Sequence, residues 1–208
     1  MHVLFEDEDI IIINKPFGVP TTDTAISQRL NEKVYIVHRL DTQTTGVLVL
    51  AKNQKSASEL SKAIANRKFK KEYLAVVSGE CPESDTLEDE LFFDKVKNKS
   101  FVVKKARKGT KHASLSFEKL KTKDDLSLVK ILLHTGRTHQ IRVQFASRKM
   151  SLFGDGKYGS VKNGKIALHC YSVEFEHPTK HTIVHITCPP PTNQTAWNIF
   201  GDFDELAL

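Results

Sequence analysis

The chain has little of what marks secreted, metal-binding or membrane proteins. It has only three cysteines among 208 residues and no Cys-x-x-Cys pair, so neither a disulfide framework nor a zinc ribbon is indicated. Its nine histidines include no His-x-His or His-Glu-x-x-His spacing, which argues against a metal site. No apolar run approaches the ~20 residues that a membrane helix requires, and the first residues are acidic where a signal peptide is basic. We therefore expect a cytoplasmic protein with reduced cysteines and no bound metal.

Positive charge is in excess and is concentrated in two segments. The formal net charge is +6; one basic cluster lies within residues 67–71, the other within 95–111, and an acidic segment over 80–90 separates them. A lysine run is often only a solvated surface. Two basic clusters on a small domain nevertheless favour contacts with the phosphate backbone of a nucleic acid. Lys104, Lys105 and Arg107 are candidates for such contacts.

Short apolar runs predict many strands and few helices. The spacing of Leu60, Ala63 and Ile64 predicts an amphipathic helix within residues 54–66. Strands in mixed order with few helices favour an α+β fold around a large, mostly antiparallel sheet, and without an internal repeat or linker we expect a single domain over residues 1–208. The predicted strands lie within 9–15, 34–37, 47–51, 73–77, 91–93, 100–103, 113–117, 126–133, 166–175 and 183–187.

Residues 38–46 read His-Arg-Leu-Asp-Thr-Gln-Thr-Thr-Gly and lie between two of these apolar runs. A loop held between buried strands is a rigid mount for chemistry. Asp41 in that loop could serve as a nucleophile or base, with Arg39 near enough to tune it or to hold an anionic substrate. Spacing alone does not separate this interpretation from an ordinary surface ion pair.

This segment, followed by an apolar strand ending in Ala-Lys, resembles the catalytic motif of the RluA-type RNA pseudouridine synthases. In that family the Asp is the essential catalytic residue, and Asp41 occupies its place. The resemblance implies a mixed, mostly antiparallel sheet flanked by helices, with a central RNA-binding cleft. It also implies isomerisation of uridines in ribosomal or transfer RNA without a cofactor or metal. The counterpart of Arg39 is thought to occupy the space that the flipped base vacates.

Two further segments carry the resemblance. Tyr73 lies in a Lys-x-Tyr-x-Ala sequence; by itself it reads as a core aromatic with its hydroxyl at the rim, whereas the resemblance places it beside the catalytic Asp. Periodicity over residues 139–147 leaves a helix and a strand equally open, and the resemblance favours a helix, which Thr138 could cap. It also makes Arg142 the salt-bridge partner of Asp41, which would keep that carboxylate ionised in a poorly solvated pocket.

The resemblance suggests further contacts and some departures. Arg137 is placed to meet RNA phosphate, His139 joins the substrate-binding candidates, and Leu168 matches an apolar residue packed near the catalytic Asp. The loop 154–159 reads as structural, with glycines for tight turns. Departures from the common pattern are Gln144, Phe145, Ser151 and Cys170.

Alternatives remain open at this stage. A catalytically silent RNA-binding or ribosome-assembly protein could share the fold, and a hydrolase could use Asp41 with a histidine. Whether Asp41 attacks the uracil ring or the sugar is also open. We expect a monomer that acts on a structured stem-loop and that lacks the N-terminal S4-type RNA-binding domain carried by many relatives.

Overall fold

The computed structural model describes residues 1–201 and 203. The chain divides into two compact units. The first unit comprises Met1–Glu72 and His169–Pro190, and the second comprises Tyr73–Leu168 and the segment that begins at Pro191. No helix of the described residues is long and apolar enough to cross a membrane.

The first unit is built on strands with two helices. β4 lies between β2 and β10, β1 is next to β2, β3 pairs with β4, and β11 pairs with β10. All of these pairs are antiparallel except β4 with β10, which are parallel. The elements are β1 His2–Glu6, β2 Ile10–Lys15, α1 Asp23–Leu30, β3 Tyr35–Ile36, β4 Thr45–Ala51, α2 Gln54–Ala65, β10 Leu168–Glu176 (its first residue in the second unit) and β11 Ile183–Thr187.

The central strands of this unit are apolar because they are buried along most of their length. All seven residues of β4 are buried, as expected for a strand with neighbours on both edges and covered faces. β2 contributes Ile10–Ile13, of which none is more than 2% exposed, and it ends at Lys15, immediately before Pro16. α2 begins after Asn53, whose side-chain oxygen accepts a hydrogen bond from the Ser56 amide at 2.9 Å.

The second unit is a run of antiparallel strands with one principal helix. The strand order is β5-β9-β8-β6-β7, and the pairs β8–β9, β6–β8 and β6–β7 are antiparallel. The elements are β5 Lys70–Ser78 (its first residues in the first unit), β6 Ser84–Asp94, β7 Lys99–Val103, β8 Thr110–Lys123, β9 Leu126–Leu133, α3 Gln140–Ser147, a 3-10 turn Gly156–Tyr158 and α4 Thr195–Asn198.

The α+β class with a large mixed, mostly antiparallel sheet is confirmed. The helix expected over 54–66 and the strand expected over 183–187 are present. The strand expected over 34–37 is wrong in extent, since only Tyr35–Ile36 pair with β4. The reason is local: the next β4 amide, that of Val49, donates at 3.0 Å to the Nε2 atom of His38, so a side chain takes the place of the backbone ladder.

Candidate active site

The loop between β3 and β4 carries Asp41 and is held by backbone contacts. The Leu40 carbonyl accepts from the Thr21 hydroxyl at 2.8 Å, and the Leu40 amide donates to the same hydroxyl at 3.3 Å. The Asp41 carbonyl accepts from the Thr44 amide at 2.9 Å, closing a tight turn. The Thr42 carbonyl accepts from the Gly18 amide at 2.8 Å. Asp41 is half-buried on this rigid mount.

Lys15 is a buried cation in the same unit that sequence reasoning missed. Its side chain is fully buried, and Nζ donates to the carbonyls of Val19 at 2.8 Å, Pro16 at 3.1 Å and Thr42 at 3.3 Å. Burial lowers the pKa of Lys15 to about 8, and the negative charge of Asp41 opposes that change. A positive charge therefore influences the Asp41 loop from inside the unit. The sequence feature that could have identified Lys15 is its position at the end of an isoleucine-rich strand.

The end of the motif allows a close approach between β4 and β10. Gly46 has φ of +110°, and a Cβ atom there would lie 2.2 Å from the Cys170 carbonyl oxygen, so only glycine fits. Beside it, the Thr45 hydroxyl lies 2.7 Å from Nδ1 of His169, and Nε2 of His169 lies 2.9 Å from the Cys188 carbonyl. Burial lowers the pKa of His169 to about 4, so the ring is neutral: it donates to the carbonyl and accepts from Thr45.

In the second unit, Arg142 forms a buried ion pair with Asp155. Nε lies 2.7 Å from Oδ2 and Nη2 lies 2.8 Å from Oδ1, and the two side chains are 3% and 1% exposed. This two-point geometry fixes the plane of the guanidinium. Gly154 places the carboxylate by a turn at φ of +75°, where a Cβ atom would lie 2.5 Å from the Lys165 carbonyl. Sequence reasoning treated this loop as glycine turns and missed Asp155; the pairing of Arg142 with Asp41 stays a prediction.

Tyr158 packs against the same guanidinium. Its ring centroid is 5.1 Å from the Arg142 guanidinium carbon. Its hydroxyl accepts from the Ser100 amide at 2.8 Å and lies 2.9 Å from Nδ1 of His139. Burial raises the pKa of Tyr158 above its ordinary value, so the hydroxyl stays protonated and can donate to His139. Arg142 is therefore held by a carboxylate and an aromatic ring together.

The start of α3 differs from the expected cap. The helix begins at Gln140, and its N-cap is His139 in the left-handed region at φ of 54°, so the expectation of Thr138 is wrong. Gln140 supplies the local contacts instead: its side-chain oxygen accepts from the Arg137 amide at 3.0 Å and from the Thr135 hydroxyl at 2.8 Å. These contacts fix the loop that leads into α3, and the side chain of the N-cap itself makes no capping hydrogen bond.

The other predicted site residues fall into two groups by burial. Tyr73 in β5 is 5% exposed and Leu168 at the start of β10 is 4% exposed. His139 is half-buried, and its ring contacts Tyr158. The candidates for phosphate contacts are all exposed; these are Arg39, Lys104, Lys105, Arg107 and Arg137. The Arg137 side chain is held by one hydrogen bond, in which its Nε donates to the His112 carbonyl at 2.9 Å.

Comparison with known proteins assigns the family. The family model described as RNA pseudouridylate synthase matches residues 9–147, which include Asp41, Tyr73 and Arg142. The chain belongs to this family. As a pseudouridine synthase it is an isomerase that acts on uridine in RNA.

Relatives of this pseudouridine synthase match most of its length. Ribosomal large subunit pseudouridine synthase C of Buchnera aphidicola is 32% identical over 210 residues, which cover 90% of this chain and 67% of the relative. An uncharacterized RNA pseudouridine synthase of Haemophilus influenzae is 31% identical, covering 93% and 89%. Human RNA pseudouridylate synthase domain containing 1 superposes with a TM-score of 0.78 at 23% identity, covering 91% and 83%, and supports the fold.

Two departures from the common family pattern lie in the core of the second unit. Gln144 and Phe145 are both fully buried. The Gln144 amide nitrogen donates to the Leu87 carbonyl at 3.1 Å and to the Asp89 carboxylate at 2.8 Å. Phe145 packs on Phe117 with ring centroids 5.0 Å apart. Both side chains therefore pack α3 against its sheet.

Proposed function

We propose that Asp41 is the catalytic carboxylate with which this pseudouridine synthase isomerises uridine in RNA, assisted by Tyr73 and Arg142. The observation that carries the proposal is the anchoring of the Asp41 loop by the contacts of Leu40, Thr42 and Lys15. A half-buried carboxylate whose neighbours are fixed by buried groups is pre-organised for attack on a bound base. Lys15 supports it by placing positive charge where the carboxylate must stay ionised.

The reaction exchanges one bond to the sugar for another. The target uridine leaves its stack at a cost of a few kcal/mol, which phosphate contacts help to offset. Asp41 then attacks the uracil ring or C1′ of the sugar. The bond from N1 to C1′ breaks, the uracil turns, a bond from C5 to C1′ forms, and the bond that Asp41 made breaks again, which regenerates its carboxylate. The proton on C5 is released and N1 gains one, so that no cofactor is consumed.

The remaining residues have roles that follow from their exposure. Tyr73 would stack on the uracil and help to remove the C5 proton, and Leu168 would pack beside the base. Arg39 is exposed on the same loop as Asp41, so it can enter the space that the flipped base leaves. The exposed cations Lys104, Lys105, Arg107 and Arg137 would contact phosphates, and His139 would contribute from its half-buried position beside Tyr158.

The substrate is proposed to be a structured stem-loop of ribosomal or transfer RNA. The name of the Buchnera relative makes ribosomal RNA the first pool to test. A monomer located in the cytoplasm, without metal, stays a prediction.

Tritium release from uridine labelled at C5 tests the reaction. The substrates are separate ribosomal and transfer RNA pools from a strain that lacks this gene, and the matched control is Asp41→Asn, which keeps the shape of the side chain. We expect release from one pool with the wild-type protein and none with the variant, while RNA binding is retained. Release by Asp41→Asn at the wild-type rate would overturn the role of Asp41. No release from either pool, with RNA binding retained, would favour the silent RNA-binding alternative.

A further inference from the structure

The hairpin formed by β6 and β7 has an inner and an outer face. Phe93 and Ser100 lie opposite each other, and both are on the face next to Arg142, His139 and Tyr158. Ser100 is buried and its hydroxyl donates to the Thr138 carbonyl, while Phe93 contacts the His139 ring edge-on at 6.4 Å. Successive side chains of a strand point to opposite faces. Phe92 and Phe101, which also lie opposite each other, therefore share the outer face.

Three cations accompany this outer pair of rings. The Arg107 guanidinium carbon lies 5.3 Å from the Phe92 ring centroid. Lys97 and Lys99 each place Nζ 5.9 Å from the Phe101 ring centroid, but Lys99 Nζ also donates to the Lys157 carbonyl at 2.6 Å and lies 5.0 Å from the Tyr158 ring centroid, so Lys97 and Arg107 are the cations of the outer face. Both rings are only half-buried. Aromatic contact orients the cations at the surface and leaves part of each ring open to solvent.

Nearby acidic groups do not cancel this charge. Glu90 is one outward-facing position further along β6, and its carboxylate lies 3.7 Å from the His112 ring. The Asp94 carboxylate accepts from the turn amides of Val96 at 2.9 Å and Lys97 at 3.0 Å, so it is directed to the hairpin turn. The connection from β7 to β8 adds more exposed cations: Lys104, Lys105 and Lys108.

Partly exposed rings flanked by cations match the chemistry of unpaired RNA. A base in a double helix hides its faces, whereas an unpaired base can stack on an aromatic side chain while its phosphates meet lysine and arginine. We propose that the outer face of the β6–β7 hairpin binds an unpaired nucleotide of the substrate RNA, distinct from the target uridine, through Phe92 and Phe101. Its flanking phosphates contact Lys97 and Arg107. This inference rests on the proposed function, since it takes RNA as the substrate.

The choice of RNA over a protein partner follows from charge. An apolar protein surface would cover the two rings but would leave the cations without counter-charges, at a desolvation cost. An RNA strand satisfies rings and cations together. The absence of a base-stacking signal in the test below would leave a protein as the occupant of this face.

Tryptophan fluorescence of Phe101→Trp tests the proposal directly. The only native tryptophan, Trp197, is 1% exposed and gives a constant background. The ligand is a single-stranded oligouridylate of about twelve nucleotides, within the site sizes of single-strand binders, and binding is followed in parallel by fluorescence anisotropy of a labelled oligonucleotide. We expect quenching of Phe101→Trp on binding. The matched control is Ile183→Trp, which replaces a 69% exposed side chain on β11 and should not be quenched.

An affinity measurement completes the test. Phe101→Leu keeps an apolar side chain on the strand but removes the ring, and we expect it to weaken oligouridylate binding on the order of tenfold. Binding seen by anisotropy without quenching of Phe101→Trp, equal quenching of both tryptophan variants, or no binding at all would each overturn the inference. Tritium release by the wild-type protein is a separate readout: if release occurs without quenching, the proposed function stands and only this inference fails.

Discussion

Asp41 and Arg142 are both held by buried groups, but the groups differ in kind. The Asp41 loop is held at its own backbone: the Leu40 amide and carbonyl bond the Thr21 hydroxyl, and the Thr42 carbonyl accepts from the Gly18 amide and Lys15 Nζ. Arg142 is fixed by two side chains, the carboxylate of Asp155 and the ring of Tyr158. A backbone-anchored loop tolerates many changes in sequence, whereas a side-chain cluster depends on each partner. The two regions should therefore respond differently to single substitutions.

The largest effect is expected from Asp155→Ala. Removing one partner of a buried ion pair costs about 3–5 kcal/mol of unfolding free energy, because Arg142 loses both of the hydrogen bonds that Asp155 accepts. Urea unfolding measures this cost, with Asp125→Ala, an exposed carboxylate of the same unit, as the control. A loss comparable to that of the control would contradict the assignment of Asp155 as the anchor of Arg142.

Lys15→Met is the matching change in the Asp41 loop. Three carbonyls lose a donor, and leaving a buried acceptor unsatisfied costs about 1–3 kcal/mol; we expect the total to stay in this range because the Thr42 carbonyl keeps the Gly18 amide. We also expect slower tritium release with retained RNA binding, since the loop loses its anchor. The control is Lys55→Met on the exposed surface of α2.

The free energy of unfolding should depend on pH differently in the wild-type protein and in Lys15→Met. Because the folded pKa of Lys15 is about 8 and its ordinary value is 10.5, the unfolded chain holds a proton between these values that the folded chain releases. The wild-type free energy of unfolding should therefore rise over that window relative to Lys15→Met. Parallel curves for the two proteins from pH 8 to pH 10 would contradict the burial of a titrating Lys15.

Acidic pH should destabilise the first unit, because His38 and His169, whose pKa values are strongly lowered, both lie in it. Burial, aided by the charge of Lys71, lowers the pKa of His38 to about 3, and burial lowers that of His169 to about 4. As the pH falls below 6.5 the unfolded chain takes up protons that the folded chain refuses, so stability is lost by at most about 1.4 kcal/mol per pH unit for each histidine.

The variant His169→Gln removes the contribution of His169 to the loss of stability in acid. Glutamine can still accept from Thr45 and donate to the Cys188 carbonyl, yet it does not titrate. We expect a shallower loss of stability between pH 6.5 and pH 4 in urea unfolding, with His2→Gln at an exposed position as the control. An unchanged slope would show that His169 takes up its proton in the folded state.

Tyr158→Phe should have the smallest effect. The ring stays against Arg142, but the hydrogen bonds of the hydroxyl with the Ser100 amide and His139 are lost. We expect a loss of about 1–2 kcal/mol and a small change in the rate of tritium release. Tyr158→Leu, which also removes the ring, should slow release further; equal rates for the two variants would exclude a positioning role for the ring.

Two sequence predictions failed because of local contacts and backbone geometry that residue patterns do not record. The strand over 34–37 was cut short because His38 accepts the Val49 amide. The cap at Thr138 was wrong because the N-cap is His139, which turns through the left-handed region directly before α3. Propensity and periodicity describe the backbone of a segment by itself, and neither records a side chain that competes for the same amide.

The sequence by itself determined the family, the reaction and the positions of most strands along the chain. These rest on local features: the motif around Asp41, apolar runs of strand length, and turn residues between them. Only the tertiary structure revealed Asp155 as the partner of Arg142, Lys15 as the buried donor of the Asp41 loop, and the outward pairing of Phe92 with Phe101. Each depends on which distant segments come together and which side chains they bury, and strand register sets those contacts at distances along the chain that no local pattern encodes.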